Sequence, residues 1–161
     1  MIFLLLLRNS FFLFFNIFCF CFCLKLYQSI FETEFIRESE LLYKIEGEAK
    51  LQLLEVPDYL NHVEKRFGEE NNRLLHYLHS SSKQPLIFCL EKYLIGEHIQ
   101  SILQKGFDQM ISEHRLGDLK LLYLLISRIS NGVDQLRVAY SQYIKVRFYC
   151  WLIDWFLLLR T

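Results

Sequence analysis

The sequence predicts an all-α fold, a helical bundle or array of roughly four to six helices between residues 25 and 145. Three observations carry this. Apolar residues recur at spacings of three and four over most of that stretch. Pro57, Pro85 and the pairs Gly117-Asp118 and Asn131-Gly132 stand where helices start and stop. No alternation of period two runs long enough to make a strand.

The elements follow in order. Leu26, Tyr27, Ile30, Phe31, Phe35, Leu41 and Leu42 stand among Glu32, Glu34, Arg37, Glu38 and Glu40, which is the pattern of an amphipathic helix. Gly47 weakens that helix without having to end it. Pro57 suits a first helical turn, where its missing N–H would have no partner anyway. Asp58 beside it favours the positive end of the helix dipole. Val56, Leu60, Val63, Phe67, Leu74 and Leu78 then share one face. His79-Ser80-Ser81-Ser82-Lys83-Gln84 reads as a loop, and Pro85 opens the next helix. Its stripe runs from Leu86 to Ile111 through Gly96 and Gly106. Each glycine costs about 1 kcal/mol against alanine in a helix, so a bend or a close helix contact is expected at both. Gly117-Asp118 reads as a break with Asp118 as N-cap. Leu119 to Ile129 is dense enough in apolar residues to be buried on more than one side. Asn131-Gly132 reads as a left-handed helix stop. Val133, Leu136, Tyr140, Tyr143 and Ile144 start the last helix.

Composition divides the 161 residues into three. Lys+Arg and Asp+Glu both number 18, so no charge imbalance points to nucleic acid. Residues 25–145 carry 15 basic and 17 acidic side chains, whereas residues 1–24 carry only Arg8 and residues 146–161 only Arg147, Asp154 and Arg160. The chain thus reads as an ordinary polar middle between apolar extensions, helical or disordered, at 1–24 and 146–161.

Residues 1–24 support three readings. A signal peptide fits poorly, since no positive charge precedes the first apolar block and no small-residue cleavage site follows. A membrane span is energetically allowed, because each central Leu, Ile or Phe contributes about −0.3 to −0.6 kcal/mol against about +2.5 to +3.5 for Arg8. The third reading is translated non-coding sequence: Phe, Leu, Cys, Ser and Ile are what the T-rich DNA before an intron acceptor encodes. A mature message running unbroken through codon 24 would sink it.

No residue set carries chemistry. Neither catalytic, cofactor-binding nor metal-binding residues are expected. Cys19, Cys21 and Cys23 lack the usual C-x-x-C spacing and a nearby histidine. Cys89 stands alone in the middle stretch, which suits a reducing, intracellular setting. His76 and His79 are three apart but lack a third ligand, and His62, His98 and His114 read as surface or packing residues. Glu97-His98 has no nucleophile or oxyanion donor assigned beside it. Glu69-Glu70 reads as a solvated face, and Tyr123, Tyr140 and Tyr143 as core. There is no Gly-rich phosphate loop and no basic-aromatic array for nucleic acid.

A resemblance adds to this. It is carried by Leu26-Tyr27-Gln28 with Phe31-Glu32 and Phe35; by Tyr43 with Glu46-Gly47; by Val56-Pro57-Asp58-Tyr59-Leu60-Asn61-His62-Val63 with Lys65-Arg66; and by Glu69-Glu70 with Arg73 and Tyr77-Leu78. Pro85-Leu86-Ile87, Leu94-Ile95-Gly96-Glu97-His98, Ile102-Leu103-Gln104-Lys105-Gly106, Asp118-Leu119 with Tyr123, Ser127-Arg128 and Tyr143-Ile144-Lys145 continue it in order. Residues 24–145 resemble part of the N-terminal half of a cullin, of the cullin-4 type. The resemblance implies a stalk of helical cullin repeats, around the second and third, in a scaffold of a ubiquitin ligase. It implies a spacer without catalysis, in cytoplasm and nucleus, within ubiquitin-dependent protein catabolism.

It also implies partners for the full-length parent: a propeller-type adaptor at one end and a RING protein at the other, with the docking regions for both missing here. The globular region whose lysine takes a ubiquitin-like protein is missing as well. Outside 25–145 the sequence departs from the family, and Val146-Arg147 after Lys145 reads as a translated GTAAG intron donor. An exon-derived fragment flanked by intron sequence is the expectation. Its rival is a membrane-anchored helical protein with a cytosolic interaction module, for which a membrane is a partner through residues 1–24.

Overall fold

The computed structural model describes residues 24–158. The expectations for residues 1–23, including the three cysteines there, lie outside them. All regular structure among the described residues is helical. The chain divides into two compact units, Met1–Ser39 and Glu40–Thr161.

In the first unit a π-helical turn over Tyr27–Glu32 leads into α1 (Thr33–Leu53). Phe31 meets Tyr27 in a tilted pair and stacks on Phe35, with ring centroids 5.2 and 5.5 Å apart. Arg37 pairs with Glu34 and Glu38 on the exposed side. Ile30 and Phe31 are exposed.

The second unit holds the core. α1 runs through Gly47 as anticipated. α2 (Val56–His76) starts with Pro57 in its first turn. A short 3₁₀ turn, Ser80–Ser82, then leads into a rod from 83 to 112. The rod is a chain of short helices: α3 (Lys83–Leu90), a π turn over Glu91–Ile95, a 3₁₀ turn over Gly96–His98, α4 (Ile99–Ile102), a second π turn over Leu103–Phe107, and α5 (Asp108–Ser112). Helix-breaking geometry therefore gathers at the two glycines in the stripe. α6 (Leu116–Ile126) and α7 (Gly132–Leu158) complete it.

α2 packs on α3, on the second π turn and on α6, and α6 packs on α5 and α7. Tyr59, Leu60, Val63 and Phe67 of α2 meet a core filled from the rod by Leu86, Leu90, Leu94, Ile102 and Met110 and from α6 by Leu122 and Ile126; all are buried. Each such side chain stabilises the fold by about 1.5–3 kcal/mol. Leu74 and Leu78 are only half-buried.

Four expectations need correction. Asp118 is not an N-cap: α6 starts two residues earlier, at Leu116, and Asp118 in its first turn pairs with Arg115 at 2.7 Å. The break lies at His114, whose φ of 55° closes α5. The Arg115 amide donates to the Met110 carbonyl and the His114 amide to that of Ile111, the paired bonds of a Schellman ending with histidine where glycine is usual. The second correction concerns α6, which ends at Ile126 and buries one side only. Leu122, Leu125 and Ile126 are inside, while Leu116, Tyr123 and Leu124 are exposed. Third, the left-handed residue of the next turn is Asn131, with φ 68°, and Gly132 opens α7 rather than closing α6. A Cβ on Gly132 would collide with the Ile126 carbonyl oxygen, so close approach, not positive φ, requires glycine there. Fourth, Tyr123 and Tyr140 are exposed and Tyr143 half-buried. The core tyrosines are Tyr43 and Tyr59, whose hydroxyls find acceptors inside the bundle.

Candidate functional site

The most organised polar feature is a lock between α1 and α2. Tyr43 and Glu46 lie three apart on α1, and His62, Arg66, Glu69, Glu70 and Arg73 recur at three and four on α2. Helical spacing thus lines each set along one face. The Tyr43 hydroxyl donates to Glu70 Oε1 at 2.5 Å, and Arg73 reaches the same oxygen at 3.0 Å. Glu46 Oε1 takes His62 Nε2 at 2.7 Å and Arg66 Nε at 2.8 Å. Arg66 also donates to Glu69 at 2.7 Å. Glu70 is buried, which corrects the solvated-face reading of Glu69-Glu70; only Glu69 of the two keeps substantial exposure. Burial, then the Glu70 carboxylate, pushes the Tyr43 phenol well above its ordinary range. The hydrogen bond to Glu46 raises the Arg66 guanidinium further.

Two further ties bind α2 to the rod. Tyr59 donates to the Leu94 carbonyl at 2.6 Å, within the π turn, where the helix ladder is irregular and carbonyls need partners. Gly106 of the second π turn lies against Val56, so closely that a Cβ would come within 2.5 Å of the Val56 Cβ. A third tie reaches beyond α6: the Arg128 guanidinium sits over the Phe67 ring, 4.8 Å from its centroid, and pairs with Glu91 at 4.0 Å.

This arrangement fixes helices. The lock's ionised groups hold one another. Hollows among the described residues lie away from it. One, of about 470 Å³, runs between α6 and α7 and is lined by Phe107, Ile111, Leu122, Leu136 and Tyr140. It brings no acid–base pair together. The histidines are scattered. His62 sits in the lock. His76 bonds the Asn72 carbonyl near the end of α2, and His79 caps the following 3₁₀ turn through the Ser81 amide, so the two share no helix face. His98, in the 3₁₀ turn, packs against Gly47, with burial holding its imidazole below the ordinary range. His114 closes α5. Among the described residues no three His, Cys, Asp or Glu side chains are grouped to hold a metal. Burial, then Glu40, pushes the Cys89 thiol up to about 11. No helix of the described residues is long and apolar enough to cross a membrane.

No known motif marks the lock. Its signal was present as the run His62, Arg66, Glu69/Glu70, Arg73, a charged stripe of helical period opposite Tyr43 and Glu46.

Comparison with known proteins places this architecture. The cullin alpha solenoid domain matches residues 8–149. Human Cullin-4A is 47% identical over 122 residues, covering 76% of this chain and 16% of that protein. Mouse Cullin-4A is 46% identical over the same length. Cullin-4 of Dictyostelium discoideum is 38% identical over 115 residues, 71% of this chain and 14% of that protein. The chain therefore spans about one-sixth of the human and mouse relatives. With a solenoid match over most of its length and near half of its aligned residues shared with Cullin-4A, this chain belongs to the cullin family and is of the cullin-4 type.

Proposed function

We propose that the chain is a rigid, non-enzymatic spacer of a cullin-RING ubiquitin ligase scaffold, acting in ubiquitin-dependent protein catabolism in cytoplasm and nucleus. Its contribution is distance. A stiff stalk keeps a held substrate and a carried ubiquitin within reach, raising their effective concentration without any reacting side chain. The observation that carries this reading is the lock. A buried tyrosine, two buried or half-buried carboxylates and two arginines are spent on fixing α1 against α2. In the parent scaffold a propeller-type adaptor and a RING protein occupy the two ends of the stalk.

A graft tests it. The family-matching residues replace the corresponding 122-residue stretch of human Cullin-4A, and substrate ubiquitination is measured. The graft sustains ubiquitination, and a Tyr43→Phe/Glu70→Ala version that remains folded reduces it. Unchanged activity in that version would show that stiffness at this joint is irrelevant. Release from cells only by detergent would favour the membrane-anchored rival instead.

A further inference from the structure

A groove of about 660 Å³ runs between the rod and α7. The rod gives it one helical stripe, from Gln100 to Asp108, and α7 with the residue before it gives another, from Asn131 to Val146. The floor is apolar: Leu103 and Phe107 are buried and Tyr143 is half-buried. The walls are amides, Gln100 and Gln104 on the rod and Asn131, Gln135 and Gln142 opposite. Each such amide offers two donors and an acceptor. Among the described residues, none of these five side chains bonds to another group of the protein. Gln135 Oε1 is also shut off from water, a buried acceptor with no donor. Such groups are rare because they are costly. Two carboxylates, Asp108 and Asp134, complete the walls, and no lysine, arginine or histidine lines them. Asp134 meets the exposed Arg137 at 3.0 Å, and Asp108 has no cation partner among the described residues.

We propose that this groove binds an extended, lysine-bearing segment of another polypeptide. Hydrogen bonding selects the extended backbone. A helix spends its peptide groups on itself, whereas an extended chain leaves N–H and C=O groups open. Side-chain amides on both walls match the two kinds of group at once. The Gln135 oxygen gains its missing donor by rotation about a soft terminal torsion. Charge selects the side chains. Two carboxylates without a cation in the groove favour a basic segment and repel an acidic one. In an extended chain alternate side chains point to opposite faces. One set therefore meets Leu103 and Phe107, and the other reaches Asp108 and Asp134 at the rim. The α7 wall is about 22 Å long at 1.5 Å per residue, room for about seven extended residues at 3.3 Å each. A contact of that size is weak, with a Kd of about 0.1–1 mM.

The probe is a capped heptapeptide of alternating valine and lysine, which favours the extended form. It is titrated into the nitrogen-15-labelled full chain, followed by amide chemical shifts. Shifts gather at residues 100–108 and 131–146, with a Kd of about 0.1–1 mM. The same peptide methylated at alternate backbone nitrogens keeps its charge but loses donors, and binds about tenfold more weakly or worse. The counterpart with glutamate for lysine does not bind. Gln100→Ala/Gln104→Ala weakens binding several-fold. Asp108→Asn weakens it too and flattens its salt dependence. All three side chains are exposed, so the helical circular dichroism stays unchanged. No binding at about 2 mM peptide overturns the proposal, as do shifts confined to other parts of the chain. Equal binding of the methylated peptide, or binding that the glutamine variant leaves unchanged, overturns it as well.

Discussion

Gly106→Ala tests the packing argument most directly. In an ordinary helix that change stabilises by about 1 kcal/mol, because alanine has the better helix propensity. Here the new methyl would lie 2.5 Å from Val56 Cβ and 2.7 and 2.8 Å from its two methyls. Val56 cannot swing away: it is β-branched and stiff at χ1, it is buried, and the nearest atom is Cβ itself. Overpacking of this kind costs about 1–3 kcal/mol. The net expectation is destabilisation by about 1–2 kcal/mol, or a fall in Tm of about 2–8 °C for a domain of this size. Gly68→Ala is the internal control. It lies within α2 with nothing near its Cβ, so it should stabilise by about 0.5–1 kcal/mol. Urea and thermal unfolding followed by circular dichroism read both. In the Val56→Ala background the cost of Gly106→Ala should shrink, giving a coupling of about 1–2 kcal/mol. A Gly106→Ala protein as stabilised as Gly68→Ala would refute the claim that α2 and the second π turn meet backbone to side chain.

Other perturbations separate the remaining ties. Glu70→Ala strands the buried Tyr43 hydroxyl and should cost about 2–4 kcal/mol, Tyr43→Phe about 1–2, and the pair together less than their sum, by a double-mutant cycle in urea. Tyr59→Phe removes the donor to the Leu94 carbonyl and should cost about 1–2 kcal/mol while speeding amide exchange in the Glu91–Ile95 turn. His98 sets a pH dependence. Burial holds its folded pKa below the usual 6.5, against weaker opposing pulls from Glu97 and Glu48. The neutral ring is therefore favoured in the fold, and its contribution is complete above the unfolded pKa and lost as pH falls through the folded one. Stability should drop between pH 7 and 5 by no more than about 1.4 kcal/mol per pH unit from this group. A His98→Gln protein should show a flatter slope over that range, and an unchanged slope would remove His98 as the cause.

What the sequence disclosed and what it hid follow one physical line. Period reveals which face of a helix is apolar, so Val56, Leu60, Val63 and Phe67 were legible. So was Pro57, because its place depends only on its own ring and missing N–H. Gly106 was legible as a point of close approach, though not with Val56 as its neighbour. Period says nothing about which helix lies opposite, and the errors came there. Tyr123 sits on a helix whose far side meets solvent, so an apolar pattern did not mean burial. Glu70 looks like half of a solvated acidic pair until Tyr43, 27 residues away, lies across from it. His114 in a left-handed cap and Asn131 beside Gly132 are decided by which carbonyls need closing, and the local alphabet points first to the neighbouring glycine.

The ties also bear on the proposed stiffness, because the rod itself is irregular. Two π turns and a 3₁₀ turn interrupt the segment from 83 to 112, and interruptions of this kind are where helices bend. Here the irregular turns meet α2 or the residues after α6. The first π turn is held at the Leu94 carbonyl by Tyr59 and at Glu91 by Arg128. The second is held at Gly106 by Val56. Arg128 also covers Phe67, which binds the end of α6 to the middle of α2. Bending the rod at either π turn would have to break a buried hydrogen bond or open a close packed contact on α2. Each costs about 1–3 kcal/mol, and small bends gain nothing in return, because packed interfaces switch between arrangements rather than yield gradually. α2 therefore acts as a splint, with its ionic face set by α1 and its apolar face set by the rod. That division predicts that loss of Tyr59 and Gly106 contacts will soften the rod without loosening the Tyr43–Glu70 lock, an outcome amide exchange can read helix by helix.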